Sequence, residues 1–383
     1  LNMELPPLSL YVHLPWCVRK CPYCDFNSHA VKGDIPADEY ARSLLKDLQQ
    51  DLPLVWGRAV HSVFFGGGTP SLFSAEQIQG LMNGFRSLLR LSPDAEVTLE
   101  ANPGTIEHDS FSAYRDAGIN RVSLGVQSFS NDSLERIGRI HRREEAERAI
   151  KSIQRSGIEN FNLDLMYALP GQSQADAIED VRDDLAFNPT HLSHYQLTLE
   201  PNTAFYADPP RLPEEDAAWR MQEACGELLR QAGYEQYEIS AWARPGSQCR
   251  HNLNYWRYGD FLGIGAGAHG KITVPSENTV RRRIRHRHPS AWMKQVGNGN
   301  GLAEDRSLQS SERVFEFFLN QLRLLDGVRK DQFEPRTGAA WGEVSGPVSQ
   351  AIEKGLLKDQ NGVLAPTDLG WRFSNEIQAL FLP

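Results

Sequence analysis

Cys17, Cys21 and Cys24 lie in the stretch HLPWCVRKCPYCDF with the spacing C-x3-C-x2-C, so one short loop carries three thiols. A cubane [4Fe–4S] cluster has four irons and usually takes four cysteine ligands. Three cysteines leave one iron open, and an open metal position is where a substrate or cofactor coordinates. Two plainer readings stand beside this one. Zinc would need a fourth ligand, for which His13, His29 or Asp25 are at hand. A disulfide plus a spare thiol fits poorly with five cysteines, an odd number, and no secretory leader.

Other polar residues stand where a parallel α/β sheet gathers its chemistry. FFGGGTP follows the second expected strand, and consecutive glycines let a backbone pack closely and adopt positive φ. It lacks the Gly-Lys-Ser/Thr ending of a phosphate loop. Glu100 ends the strand in VTLEANPGT, Gln127 follows SLGVQS, and Asp164 lies in NLDLMYALPGQ. A carboxylate in a strand buried on both faces needs a partner or a purpose. Arg139, in LERIGRIHRREE, reads on its own as a solvated helix residue.

The cysteine spacing, with Tyr23 before the last thiol, resembles the signature of the radical S-adenosylmethionine (SAM) enzymes, in which the open iron chelates SAM. Together, HLPWCVRKCPYC, FFGGGTP, LEANPGT, SLGVQS and DLMYALPGQ resemble the oxygen-independent coproporphyrinogen III oxidases and their relatives, from about residue 8 to 270. That resemblance implies that Cys17, Cys21 and Cys24 hold a [4Fe–4S] cluster. It also implies that Tyr11, Tyr23, Gly67, Gly68, Thr69, Glu100, Gln127, Arg139 and Asp164 contact SAM, with Thr198 and His269 as looser matches.

Two departures bear on the reaction. The oxidases carry a fourth cysteine two residues after the third, where this chain has Phe26, and they extend further ahead of the first strand. A second signal is HNLNYW, residues 251–256. Histidine and tyrosine are haem ligands, and tryptophan offers an apolar face, although a turn with a core-packed Tyr-Trp pair is the plainer reading. The segment resembles the hallmark of the HemW-type haem chaperones. That resemblance implies a haem carrier that serves respiratory haem proteins, with His251 as iron ligand, Tyr255 and Trp256 in the pocket, and an electron donor as partner. The alternative is a coproporphyrinogen III dehydrogenase, decarboxylating oxidatively by radical SAM chemistry.

The positioning elements are legible from pattern. Candidate strands fall at 8–13, 61–65, 96–101, 121–126, 160–166, 191–197 and 237–240. Amphipathic helices fall between them at 38–52, 75–89, 110–117, 143–156, 175–187 and 214–232, several ending at a glycine. This order predicts an α/β fold, a radical SAM partial (β/α) barrel, with functional loops at the C-terminal strand ends. A glycine-bearing polar stretch at 276–310 reads as a linker. Beyond it, a helix–helix–hairpin–helix order predicts a small α+β winged-helix-like domain, so the units are 1–300 and 301–383.

A net charge of −9 and the lack of a basic recognition helix argue against nucleic acid. No apolar run matches a membrane span, and free thiols fit the cytoplasm. The run RRRIRHRH at 281–288 reads as a solvated face. Its sharper reading is contact with anionic headgroups or haem propionates, which would put the chain peripherally at the inner face of the membrane.

Overall fold

The computed structural model describes residues 3–104 and 109–382; Thr105, at the end of the LEANPGT motif, lies outside them. Twelve strands form the main sheet among these residues: β1 Leu8–Leu14, β2 Ala59–Gly67, β3 Arg90–Ala101, β4 Arg121–Gln127, β5 Asn160–Tyr167, β6 His191–Gln196, β7 Glu235–Glu238, β8 Ala241–Ala243, β9 Asp260–Ile264, β10 His269–Val274, β11 Thr279–Arg285 and β12 Leu302–Ser307. Their order is β12-β11-β10-β9-β1-β2-β3-β4-β5-β6-β8-β7. From β9 through β6 every neighbouring pair is parallel, and antiparallel strands extend both edges. The sheet is therefore an open partial barrel. It curls enough that residues of β1, β3, β5, β9 and β11 line one interior cavity.

Local chemistry sets these elements. β4, RVSLGVQ, is buried at every residue, as a strand covered on both faces must be. Ser74 caps the helix Ala75–Leu88 through a reciprocal capping box with Gln77. The helix Arg143–Ser156 stops at Gly157, whose φ of 82° is left-handed. Helices Ala37–Val55, Ala75–Leu88 and Arg143–Ser156 bury Leu44, Ile78 and Ile150 in the core against Val12, Phe65 and Leu124.

Two expectations are corrected here. The stretch 276–310 is not a linker: it contains β11, the helix Pro289–Gly297 and β12, and the main sheet continues to Ser307. Its polarity comes from strands bound by ion pairs, and Gly299 (φ 78°) turns the chain after the helix. Nor is the arginine run a free cationic face. Arg281 pairs with Asp305, Arg282 with Glu316, and buried Arg283 and Arg285 reach Asp51 and Asp47 of the helix Ala37–Val55. Those four guanidiniums are paired within the fold, whereas Arg287 and His288 at the end of the run are exposed. Among the described residues no helix is long and apolar enough to cross a membrane.

The expected strand at 237–240 is a hairpin, β7 and β8, that turns antiparallel at the sheet's edge. After Ser310–Gln321 come short helices and the hairpin Leu357–Gln360/Val363–Pro366, whose turn uses Asn361 and Gly362 at positive φ. Phe317, Phe318, Phe333 and Phe381 build a separate core for this unit, and Tyr258 of the barrel packs into it. Arg323 ties the two parts, bonding Glu238 at 3.0 Å and covering the Trp256 ring at 4.3 Å.

Candidate functional site

The cysteine loop leaves the C-terminal end of β1. A two-residue strand, Trp16–Cys17, pairs with His29–Ala30, and the Cys24 N–H closes a turn on the Cys21 carbonyl. All three thiols line one cavity of about 300 Å³. Tyr23, Gly67, Gly68, Thr69, Glu100, Gln127, Arg139, Asp164 and Thr198 line it too, so the SAM residues expected from the sequence, other than Tyr11 and His269, converge there. Tyr11 and His269 face a second cavity of about 760 Å³ that shares Gly67, Glu100, Ser123 and Asp164 with the first.

The donor set fits a thiolate-held cluster. Burial pushes the Cys17 and Cys24 thiols up, so as free groups they are protonated, and a metal would take the proton's place. Arg139 directs Nη1 at Cys21 Sγ across 3.5 Å, and its Nε is buried without a partner. A mononuclear zinc site fits less well. His13 Nε2 donates to the Asn27 carbonyl and Nδ1 accepts from Tyr11, which leaves no ring nitrogen free. Among the described residues no three His, Cys, Asp or Glu side chains are arrayed for a single ion.

The glycine loop owes its composition to the cysteine segment beneath it. The Gly68 and Thr69 amides donate to the carbonyls of Leu14 and Trp16, and Gly67 donates to Glu100 Oε2 at 3.2 Å. A Cβ on Gly68 would meet the Trp16 carbonyl oxygen at 2.4 Å; one on Gly67, at φ 115°, would meet the His13 ring at 2.5 Å. Gly68→Ala should push the loops apart, lowering SAM affinity more than about tenfold and stability by about 2 kcal/mol. Calorimetric SAM titration beside thermal melting reads both; an unaltered variant would show that this contact does not position the site.

Glu100 carries the main electrostatic tension. Burial, then the nearby Asp164 carboxylate, pushes it up to about 8. A carboxyl raised on folding stabilises fully below its unfolded value, and that contribution declines from about pH 4.5 to about pH 8. Glu100→Gln should therefore gain about 1–2 kcal/mol over wild type at pH 8 and nothing at pH 4, since cavity water screens the group. Urea melts at the two pH values read this, and an equal difference at both would refute it.

Around these residues lie others that the sequence reading passed over. Asn102 donates to Thr69 at 3.0 Å and accepts from Arg139 at 2.7 Å, joining the glycine loop to the arginine. Tyr195 donates to Gln127 Oε1 at 2.7 Å and fixes a non-glycine residue at φ 69°. Neither contact leaves a local signal, because each crosses between strands.

HNLNYW forms most of the helix Arg250–Trp256. The Glu96 carboxylate anchors its start, accepting from the Arg250 and His251 amides, each at 3.0 Å. His251 is 1% exposed and lines the larger cavity. Its Nδ1 donates to Ser62 Oγ at 2.8 Å, since that hydroxyl donates onward to Ser9, and Nε2 accepts from Tyr255 at 2.8 Å. Burial, then Arg121, holds the ring at about 3 and therefore neutral. Tyr255 also lines the cavity. Trp256 does not: it lies under Arg323, so its expected pocket role is corrected to one of domain contact. Cys249 lines neither cavity, and its buried thiol donates to Glu96 at 3.5 Å.

Residues 11–183 match the radical SAM superfamily, and residues 308–373 match the HemN C-terminal domain. The solved structure of Escherichia coli coproporphyrinogen III oxidase, HemN, superposes with a TM-score of 0.82 at 24% identity, covering 98% of this chain and 90% of that one. A partial barrel with a three-cysteine loop at its C-terminal mouth is the frame of the radical SAM superfamily, which implies a [4Fe–4S] cluster and SAM. The chain is 49% identical to the heme chaperone HemW of E. coli over 380 residues, and 48% identical to that of Haemophilus influenzae over 383, each covering 99% of both chains. It belongs to the HemW family.

Proposed function

We propose that this chain binds haem and hands it to haem proteins, with a [4Fe–4S] cluster and SAM held beside the cargo. The observation that carries this reading is the pair of adjoining cavities, one walled by the three thiols and the other by His251 and Tyr255. Cys17, Cys21 and Cys24 would hold the cluster; Tyr23, the Gly67–Thr69 loop, Glu100, Gln127, Arg139 and Asp164 would hold SAM. When bound, the cluster and SAM supply one-electron cleavage of a carbon–sulfur bond. The protein's own groups orient, neutralise and exclude water. Arg139 offsets thiolate charge, and the Glu100 carboxyl, accepting from the Gly67 amide, fixes the glycine loop.

For the cargo, the Nδ1–H bond to Ser62 sets the His251 tautomer whose Nε2 lone pair faces Tyr255. Turning Tyr255 aside would release that lone pair to iron. Phe64, stacked on His251 at 4.9 Å, and Phe261 add apolar wall. The recipients are respiratory haem proteins, and an electron donor serves the cluster.

Phe26, exposed where the oxidases carry their extra cysteine, weighs against porphyrinogen turnover. The test is an anaerobic incubation of cluster-loaded protein with SAM, reductant and coproporphyrinogen III, beside transfer of bound haem to an apo-cytochrome. Haem transfer without decarboxylated product is expected. Multiple-turnover decarboxylation would overturn the reading in favour of the dehydrogenase.

A further inference from the structure

Arg121 opens β4 at the N-terminal end of the barrel, 2% exposed, and lines the floor of the 760 Å³ cavity. Among the described residues its side chain makes no hydrogen bond or ion pair, and its Nε is buried without a partner. Other buried arginines differ. Arg285 bonds Asp47 and Asp51, Arg313 bonds the carbonyls of Thr337 and Leu308, and Arg139 bonds Asn102 and the Gly125 carbonyl.

Three carboxyl groups, Glu96, Asp164 and Glu100, act on Arg121 at longer range. Each has partners elsewhere, Glu100 accepting from the Gly67 amide. Glu96 accepts from Cys249, Arg250 and His251, while Asp164 accepts from Asn162 at 2.8 Å and Ser123 at 3.4 Å. The remaining groups nearby offer no charge: burial keeps His191 and His251 neutral and Cys249 and Tyr237 protonated. An unpaired guanidinium buried against a cavity is expensive unless something in that cavity completes it. Its planar fork of donors matches a carboxylate.

We propose that Arg121 anchors a carboxylate of the ligand that fills the larger cavity. The proposal rests on the haem reading, under which that carboxylate is a propionate. A carboxylate anchored at the floor leaves the ring system between the Phe64 and Phe261 walls. One end of the ligand is then fixed by charge and its centre by the His251–Tyr255 pair. A cavity of about 760 Å³ lies within the ~300–1,000 Å³ range of small-molecule sites.

The experiment is an anaerobic titration of cluster-loaded protein, followed in the Soret region. Iron protoporphyrin IX and its dimethyl ester are each added to wild type, Arg121→Gln and Arg121→Lys. Wild type should bind the free acid about ten- to hundredfold tighter than the ester, the range of a charge-assisted hydrogen bond. Arg121→Gln should bind both with the ester's affinity, and Arg121→Lys should regain part of the preference. Haem binding without discrimination by wild type, or discrimination retained in Arg121→Gln, overturns the anchor alone. Absence of all haem binding by wild type overturns the haem reading and the anchor with it. Should Arg121→Gln fail to fold, the acid–ester comparison in wild type and Arg121→Lys decides.

Discussion

Replacing Cys17, Cys21 and Cys24 together by serine abolishes the iron–sulfur cluster and leaves the chain folded: that is the expected result with the largest effect. The three thiols line one cavity and come from one loop, so no other residue can substitute for them locally. Serine offers a harder, less acidic oxygen, which holds iron of this kind poorly. The loop's own frame does not depend on sulfur. It is tied by the Val31 amide on the Cys17 carbonyl, the His29 amide on the Pro15 carbonyl and Asn27 on the Ala266 carbonyl. Iron and sulfide per chain after anaerobic reconstitution should fall more than tenfold, with far-ultraviolet circular dichroism unchanged. Serine at Cys225 or Cys249, both buried away from this cavity, should leave the iron content as it was. A triple variant that still takes up a full cluster would refute the assignment.

Arg285→Met should destabilise the fold by about 3–5 kcal/mol, the cost of leaving a buried charge pair half complete. Arg285 is about 1% exposed and reaches both Asp47 and Asp51, which are themselves about 1% exposed. Asp47 also receives the Gly265 amide at 3.1 Å, which fixes the turn after β9. Loss of the guanidinium leaves two carboxylates facing each other, with Arg283 still paired to Asp51. Asp47→Asn in the same chain should recover part of the loss, because one of the stranded charges is then removed. Chemical denaturation of the single and double variants measures this. A loss under about 1 kcal/mol would mean that the network is dispensable. Liposome binding should be indifferent to Arg281 and Arg282, which are held by Asp305 and Glu316.

Much of the parallel core was legible because its signals are local. Alternation of buried strands with capped helices places β1, β2, β4, β5 and β6 within a few residues, while β3 starts earlier than expected, at Arg90, and the residues at the strand ends line a common cavity. The failures share one cause. The polar composition at 276–310 and the arginine run read as solvent-facing because their partners, Asp47, Asp51 and Glu316, lie far away in sequence. Arg121 drew no attention for the same reason, since a lone arginine opening a strand says nothing of the cavity that it faces. In HNLNYW the residue types are informative, but their directions are not. At the C-terminal end of this helix, Trp256 turns to the second unit, whereas His251 and Tyr255 face inward.

The central claim is that this chain holds haem in the cavity beside the cluster and SAM. An anaerobic haem titration of the cluster-loaded protein, followed in the Soret region beside His251→Ala, tests it most directly. The account predicts saturable binding near one haem per chain, weakened by the substitution. Binding that never saturates, or no Soret change at all, would contradict it.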